Sequence, residues 1–237
     1  MPDTKPKTPL TLAIDIGGTA IKMLIMDATG KEITPYINQP TPHPATVAAV
    51  CKVIAEMCKH LTMPFDRISV GFPGVVHQGI IKTAVNMNPS WLNVNLEQKL
   101  HTLTKVPVRV ANDANIQGYG DVIGKGVEMV ITLGTGVGSA LFINGRLVPN
   151  LELGHHPFID NKTYEDVLNK AALDRDGRQH WETQLQAAIA MWLKIFNCDR
   201  LCIGGGLAAL IDFKLPPHVY KSNNIEGTLG GIKLWEK

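Results

Sequence analysis

From Leu10 to Asp27 the chain shows two apolar runs joined by Gly17-Gly18-Thr19, the pattern of a strand, a glycine-rich turn and a second strand. A third strand is expected near Glu32 to Ile37. Beyond Pro40, Pro42 and Pro44, apolar residues recur at Val47, Val50, Cys51, Ile54 and Cys58, which is helical spacing. Strand character returns over Arg67 to Phe72, and Val75 to Thr83 reads as extended. Val94 to Leu103 reads as helical. Val106 to Val110 is a short apolar strand ending at Asn112-Asp113, and Ala114 to Val122 reads as a further helix. Strands and helices alternating in this way predict an α/β architecture.

The opening plan is then repeated. Met129 to Leu133 and Ser139 to Ile143 form a second strand pair across Gly134-Thr135-Gly136-Val137-Gly138, followed by Asn144-Gly145, a strong hairpin signal. This predicts a weak internal duplication, with two α/β lobes that each carry a glycine-rich turn. Two such turns facing each other would offer backbone N–H groups to a phosphate chain from both sides. Helices are expected around Tyr164 to Ala172 and Trp181 to Phe196, and a strand over Arg200 to Ile203 that ends in Gly204-Gly205-Gly206.

Bulk properties narrow the picture. With 237 residues and 45% apolar content the chain can bury a large core, as one domain or two lobes. Lys and Arg number 23 against 21 Asp and Glu, so the net charge of +2 carries no nucleic-acid signature, and any basic surface must be local. The four cysteines, Cys51, Cys58, Cys198 and Cys202, sit in apolar runs without metal-knuckle spacing and read as reduced buried thiols. The polar, proline-containing start MPDTKPKTP lacks the apolar run of a signal peptide, and no stretch reaches the roughly 18 apolar residues of a membrane span. A soluble cytoplasmic protein without membrane or nucleic-acid partners is the expectation.

Chemistry concentrates in a few places. Asp15, in Asp15-Ile16-Gly17-Gly18-Thr19-Ala20-Ile21-Lys22, is a carboxylate within an apolar strand, where an unpaired charge is costly. A hydrated Mg2+ beside a transferring phosphate would compensate it, with Thr19 and Lys22 as donors; the plain alternative is a carboxylate that only caps the turn. No G-x-x-x-x-G-K-[ST] loop is present, and Gly134-x-Gly136-x-Gly138 lacks dinucleotide spacing. Asn112-Asp113 follows a strand and precedes a helix, a usual place for ligand groups in α/β sheets. There Asp113 could take a proton from an attacking hydroxyl, or either residue could cap the helix. Glu152-Leu153-Gly154-His155-His156-Pro157 collects a carboxylate and two imidazoles on an irregular segment suited to sugar hydroxyls. A zinc role for the histidine pair is disfavoured because no cysteine follows at ligand spacing, and His156 reads as a surface residue without a role.

Taken in order, LAIDIGGTAIK, GFPGVV from Gly71 to Val76, TAVNMNPSW from Thr83 to Trp91, NDAN from Asn112 to Asn115, LGTGVGSA, ELGH and IGGG resemble the ROK family of sugar kinases, and within it the short polyphosphate-using glucokinases. The match runs from Leu12 to about Gly231. The resemblance implies an actin-like ATPase, ribonuclease-H-like duplicated α/β fold, with sugar bound in the cleft between two lobes. It suggests a first lobe over 1–112, with a segment near 224–237 as a candidate to return to it, and a second lobe over 113–223. It assigns Asp15, Gly17, Gly18, Thr19 and Lys22 to a first phosphate motif and Gly134, Thr135 and Gly136 to a second. Asn86, Asn112, Asp113, Glu152, His155 and Glu165 fall on sugar-binding positions, with Asp113 as the catalytic base. The implied reaction transfers a phosphoryl group from polyphosphate, ATP or both to the 6-hydroxyl of glucose, with Mg2+ as cofactor and a homodimer as the assembly. Mannose and glucosamine are the other candidate acceptors.

The chain departs from the family in places. Many relatives carry a cysteine-rich zinc motif after the Gly-His pair, and here the stretch reads HPFIDNKTYEDVL, so no structural zinc is expected. Family repressors place a DNA-binding segment before the first glycine motif; only nine residues precede Leu10 here, so a repressor role is not expected. The stretch from Leu207 to Tyr220, before Asn224 and a final helix-like segment, is short and contains prolines where ATP-using relatives build helical structure beside the adenosine. This favours polyphosphate, which would need a local cationic strip, with Lys22 the first candidate and Lys125, Arg146 and Lys162 further ones. The competing readings are a strictly ATP-dependent ROK hexokinase or fructokinase and, from another class, a non-catalytic sugar-binding protein.

Overall fold

In the computed structural model, which describes residues 6–84, 87–222 and 229–236, the chain divides into two compact units, Met1–Ile116 with Thr228–Lys237 and Gln117–Gly227. Asn86 and Asn224 lie outside the described residues.

The sheet of the first unit holds β1 (Thr11–Ile16), β2 (Ala20–Met26), β3 (Ile37–Pro40), β4 (Arg67–Phe72) and β5 (Val108–Asn112), in the order β3-β2-β1-β4-β5. β1 is antiparallel to β2, and β2 to β3, whereas β4 runs parallel to both β1 and β5. β1 packs apolar side chains on both faces. Leu12, Ile14 and Ile16 join a core with Val50, Ile54 and Met57 of helix Val47–Lys59 and Leu96 and Leu100 of helix Leu96–Thr104. Ala13 faces the other way, toward Ile232. On that second face Trp235 donates from Nε1 to the Ser69 hydroxyl at 2.8 Å, and the guanidinium groups of Arg67 and Arg109 lie 5.0 and 4.6 Å from its ring centroid.

In the second unit, β6 (Val127–Leu133), β7 (Val137–Ile143), β8 (Arg146–Val148), β9 (Arg200–Gly204) and β10 (Val219–Lys221) follow the order β8-β7-β6-β9-β10. Its strand directions repeat those of the first sheet, antiparallel across β8-β7-β6 and parallel across β6-β9-β10. The duplication expected from two glycine turns is therefore a duplication of whole-sheet topology. The core here joins Met129, Ile131 and Leu133 to Trp181, Leu185, Ile189 and Trp192 of helix Arg178–Phe196. Asn144 and Gly145 adopt φ of 50° and 76°, the left-handed pair of a tight hairpin turn.

Three elements differ from expectation. β3 begins at Ile37, while Glu32 makes only an isolated bridge to Met26. In between, the Thr34 hydroxyl takes the Ile25 N–H at 2.9 Å and Pro35 has no N–H to add to a ladder. The helix expected over Tyr164 to Ala172 is two helices, Tyr164–Leu168 and Lys170–Asp176, broken where Asn169 turns extended and caps the second through the Ala172 N–H. β10 has no counterpart in the sequence pattern; its three residues follow Pro216-Pro217 and are too few to show a period.

Candidate active site

In the first unit the site is built at the ends of β1, β4 and β5. Ile16 pairs with Ile21, so residues 17–20 form the turn, closed by the Gly17 N–H on the Ala20 carbonyl at 2.9 Å. Asp15 stands across from Lys22 on β2 and from Gly71 on β4. A Cβ placed on Gly71 would sit 3.4 Å from Asp15 Oδ1 and 3.5 Å from the Asp113 Cα, so Gly71 lies between the two acidic residues. Asp113 opens helix Asp113–Asp121, and its Oδ1 accepts the Ala114 N–H at 2.8 Å. Asn112 holds the capping position: its Oδ1 accepts the Asn115 N–H at 3.2 Å while its Nδ2 donates to the Gly74 carbonyl at 3.2 Å. The segment GFPGVV is thereby tied to the helix start, and Gly74 has no room for a side chain because a Cβ would meet the Thr83 carbonyl at 2.3 Å.

One residue of this arrangement escapes sequence reasoning. Thr41, 3% exposed, donates its hydroxyl to the Gly17 carbonyl at 2.6 Å and its N–H to the Thr19 carbonyl at 2.9 Å. It buckles the first glycine turn from behind. In the sequence it is one polar residue in a proline-rich connector, and nothing there marks it.

The second unit holds the other turn. The Gly134 N–H closes it on the Gly136 carbonyl at 3.0 Å, and the Lys170 N–H reaches the Gly134 carbonyl at 2.8 Å. The break at Asn169 is what frees that N–H. Glu165 Oε2 accepts the Val137 N–H at 2.9 Å. The Glu152–His155 segment packs on the same strand, for a Cβ on Gly154 would lie 2.3 Å from the Val137 carbonyl. Ser139, 3% exposed, rivets it there by donating to the Leu151 carbonyl at 2.7 Å and accepting the Leu153 N–H at 3.1 Å. This is a second supporting residue that the sequence pattern does not single out.

Glu152 Oε2 and His155 Nε2 are 3.8 Å apart. Partial burial raises the Glu152 carboxyl above its ordinary range, as does the Glu165 carboxylate nearby, while His155 pulls it back. The pair offers an acceptor and a donor side by side, which suits vicinal hydroxyls. His156 is exposed and its Nδ1 lies 2.6 Å from the Pro157 carbonyl.

Of the candidate cations, Lys22 lies beside the first turn. Lys125 lies just before β6 and Arg146 opens β8, and the segments they flank are joined by the Gly126 N–H on Asn144 Oδ1 at 3.0 Å and the Asn144 N–H on the Gly126 carbonyl at 2.7 Å. Lys162 sits instead on the hairpin Pro157–Thr163, where its charge acts on Asp166 and Asp176. Among the described residues no group of three or more His, Cys, Asp or Glu is arranged to hold a metal ion, and no helix is long and apolar enough to cross a membrane.

Two sheets of one topology, each with a glycine turn between its first antiparallel strands, define the duplicated actin-like ATPase class. Within it, the ROK family model matches residues 11–164, and the chain belongs to that family. It is 35% identical over 217 residues to the polyphosphate glucokinase of Mycobacterium leprae (strain TN), covering 86% of this chain and 65% of the relative. To the polyphosphate glucokinase of Mycobacterium tuberculosis (strain CDC 1551 / Oshkosh) it is 32% identical over 213 residues, 86% of this chain and 80% of the relative. The crystal structure of the inorganic polyphosphate/ATP-glucomannokinase from Arthrobacter sp. strain KM superposes with a TM-score of 0.88 at 31% identity, covering 96% of this chain and 98% of that one. The chain thus spans about two thirds of the length of the first of these relatives and more of the others.

Proposed function

We propose that the protein is a glucokinase that moves a phosphoryl group from polyphosphate or ATP to the 6-hydroxyl of glucose. The observation that carries this reading is the placement of Asp113 at the end of β5, on the far side of Gly71 from the carboxylate of the first glycine turn. A hydroxyl presented to Asp113 meets an acceptor for its proton where a phosphoryl group held by that turn is within reach. The names of the relatives, polyphosphate glucokinase and polyphosphate/ATP-glucomannokinase, supply donor and acceptor classes that fit it.

In this reading the Glu152 and His155 side chains bind and orient sugar hydroxyls, Asn112 fixes the start of the helix that carries Asp113, and Asp113 takes the proton from the attacking oxygen. Each glycine turn offers backbone N–H groups, and the first the Lys22 ammonium beside it, suited to neutralise charge on phosphoryl oxygens. Phosphoryl transfer of this kind depends on positioning and charge stabilisation more than on covalent chemistry by the protein. The hard carboxylate oxygens of Asp15, beside the turn, fit a hydrated Mg2+ bound with the donor phosphates, which when present would offset phosphate charge. Asn86 and Thr135 complete the proposed sugar and phosphate contacts.

Polyphosphate is favoured as donor by the segment after Gly205. The chain makes one short 3-10 turn, Gly206–Leu210, and reaches β10 with no long helix to border an adenine. Lys125 and Arg146 form a local cationic patch for a polyanion. Four reduced cysteines, with burial raising Cys58 to about 11 and Cys202 to about 12, suit a cytoplasmic setting. The exposed Met191 and Ile195 on helix Arg178–Phe196 offer an apolar strip for a homodimer.

The test is glucose 6-phosphate formation with each donor at two salt concentrations. Polyphosphate KM should climb steeply with salt and glucose KM little, because several charge contacts are screened together. ATP turnover without polyphosphate use would support the strictly ATP-dependent alternative, and sugar binding without turnover the non-catalytic one.

A further inference from the structure

The family resemblance puts Glu165 on the sugar side of the reaction, yet the hydrogen bond its side chain makes points to the phosphate turn. Oε2 accepts the N–H of Val137, the first residue after Gly134-Thr135-Gly136, at 2.9 Å. A Cβ on Gly136 would lie 2.6 Å from the same oxygen, so the carboxylate rests directly on the turn backbone. The Lys170 N–H holds the other end through the Gly134 carbonyl at 2.8 Å. Both ends of the turn are therefore tied to one segment, residues 165–170, by a side chain at one end and a backbone group freed by the Asn169 break at the other.

Placing an anion here is costly for a site that must attract phosphate, since like charges repel. The cost is understandable if the carboxylate is needed to order the turn before the donor arrives. A preorganised set of N–H groups binds an anion better than one that must first be arranged. The same carboxylate acts electrostatically on Glu152, and the Val137 carbonyl abuts Gly154 of the sugar segment.

We infer that Glu165 is a positioning residue for the phosphoryl donor, holding the second glycine turn in its binding conformation through the Val137 N–H and linking that turn to the segment that carries Glu152 and His155. This role rests on the proposed kinase function and adds a donor-side task for a residue otherwise assigned to the sugar.

The test titrates polyphosphate of defined chain length in the absence of sugar against wild type, Glu165→Gln and Glu165→Ala. Gln keeps an oxygen that can accept the Val137 N–H and removes the negative charge, so donor affinity should be unchanged or tighter. Ala loses the acceptor, and affinity should fall about fivefold or more, the order expected for one lost hydrogen bond. A general loss of structure would weaken both variants and lower both melting temperatures, so the opposite behaviour of Gln and Ala is the signature. Should Ala fail to fold, Glu165→Asp, whose carboxylate is drawn back by one methylene, should weaken donor binding instead. Donor affinity within about twofold of wild type in the Ala or Asp variant, with only glucose binding impaired, would overturn the inference and leave Glu165 as a sugar contact. The wild-type arm separates the two levels: if wild type makes glucose 6-phosphate, the function stands whatever the variants do. If wild type neither binds polyphosphate nor uses it, donor choice falls and this donor-side role with it.

Discussion

Substituting Gly134 by alanine separates what the fold needs from what a ligand needs. A Cβ on Gly136 would press on Glu165 at 2.6 Å, and one on Gly154 on the Val137 carbonyl at 2.3 Å, so both glycines answer to protein neighbours. Around Gly134 a Cβ meets nothing within 4 Å, and its φ lies outside the range that favours glycine. The protein alone gives no reason for its bare backbone; close approach of a phosphate does. Gly134→Ala should therefore leave stability within about 0.5 kcal/mol, a shift of roughly 1–2 °C in Tm. Donor binding should suffer more. Pushing a phosphate oxygen off one charge-assisted N–H contact costs about 1.5–3 kcal/mol, or roughly 10- to 150-fold in donor KM, with glucose KM little changed. Gly154→Ala is the contrasting case: relieving a 2.3 Å contact with backbone should cost about 1–3 kcal/mol of overpacking and roughly 2–12 °C in Tm. Thermal melts and steady-state kinetics on both variants decide it. A Gly134→Ala protein with wild-type donor KM, or one that melts as early as Gly154→Ala, would show that Gly134 is not bare for a bound phosphate.

Three further outcomes are expected. Asp113→Asn keeps an oxygen for the Ala114 N–H and should fold and bind glucose normally, while kcat drops at least ~10²-fold; near-normal turnover would remove Asp113 as base. Thr41→Val preserves shape and the backbone bond to Thr19 but strips the Gly17 carbonyl of its 2.6 Å partner, so stability should fall by about 1–3 kcal/mol and donor KM rise, with Thr41→Ser restoring both. Because burial and Glu165 raise the Glu152 carboxyl above its usual 4.5, its ionised, acceptor form is lost as pH falls through that raised value. The acid limb of kcat/KM for glucose should sit correspondingly high and disappear in Glu152→Gln; an unmoved limb in that variant would assign it to another group. For stability the sign is opposite: ionised Glu152 is disfavoured by the fold above its raised pKa, so Glu152→Gln should be no less stable than wild type there.

Local pattern along the chain is enough to specify the elements and much of their chemistry. Strand runs such as Thr11–Ile16 and Arg67–Phe72 are apolar enough to have one reading, and the helical spacing of Val47, Val50, Ile54 and Cys58 is equally plain. Asp15, Asn112-Asp113 and Glu152–His155 stand out because charged and polar side chains at strand ends and in irregular segments need a reason to be there. What holds those residues in place comes only from the folded chain. The side chains of Thr41, Ser139 and Glu165 act through one or two hydrogen bonds each to backbone groups 24, 12 and 14, and 28 residues away in the chain. Such a bond leaves no periodicity or composition behind, since any residue with a small polar end can make it and only the folded backbone supplies the partner. The same holds for β10, whose three residues become a strand because β9 offers an open edge. It holds too for the break at Asn169, where a continuous helix yields to two hydrogen bonds, the Ala172 N–H on Asn169 Oδ1 and the Lys170 N–H on the Gly134 carbonyl.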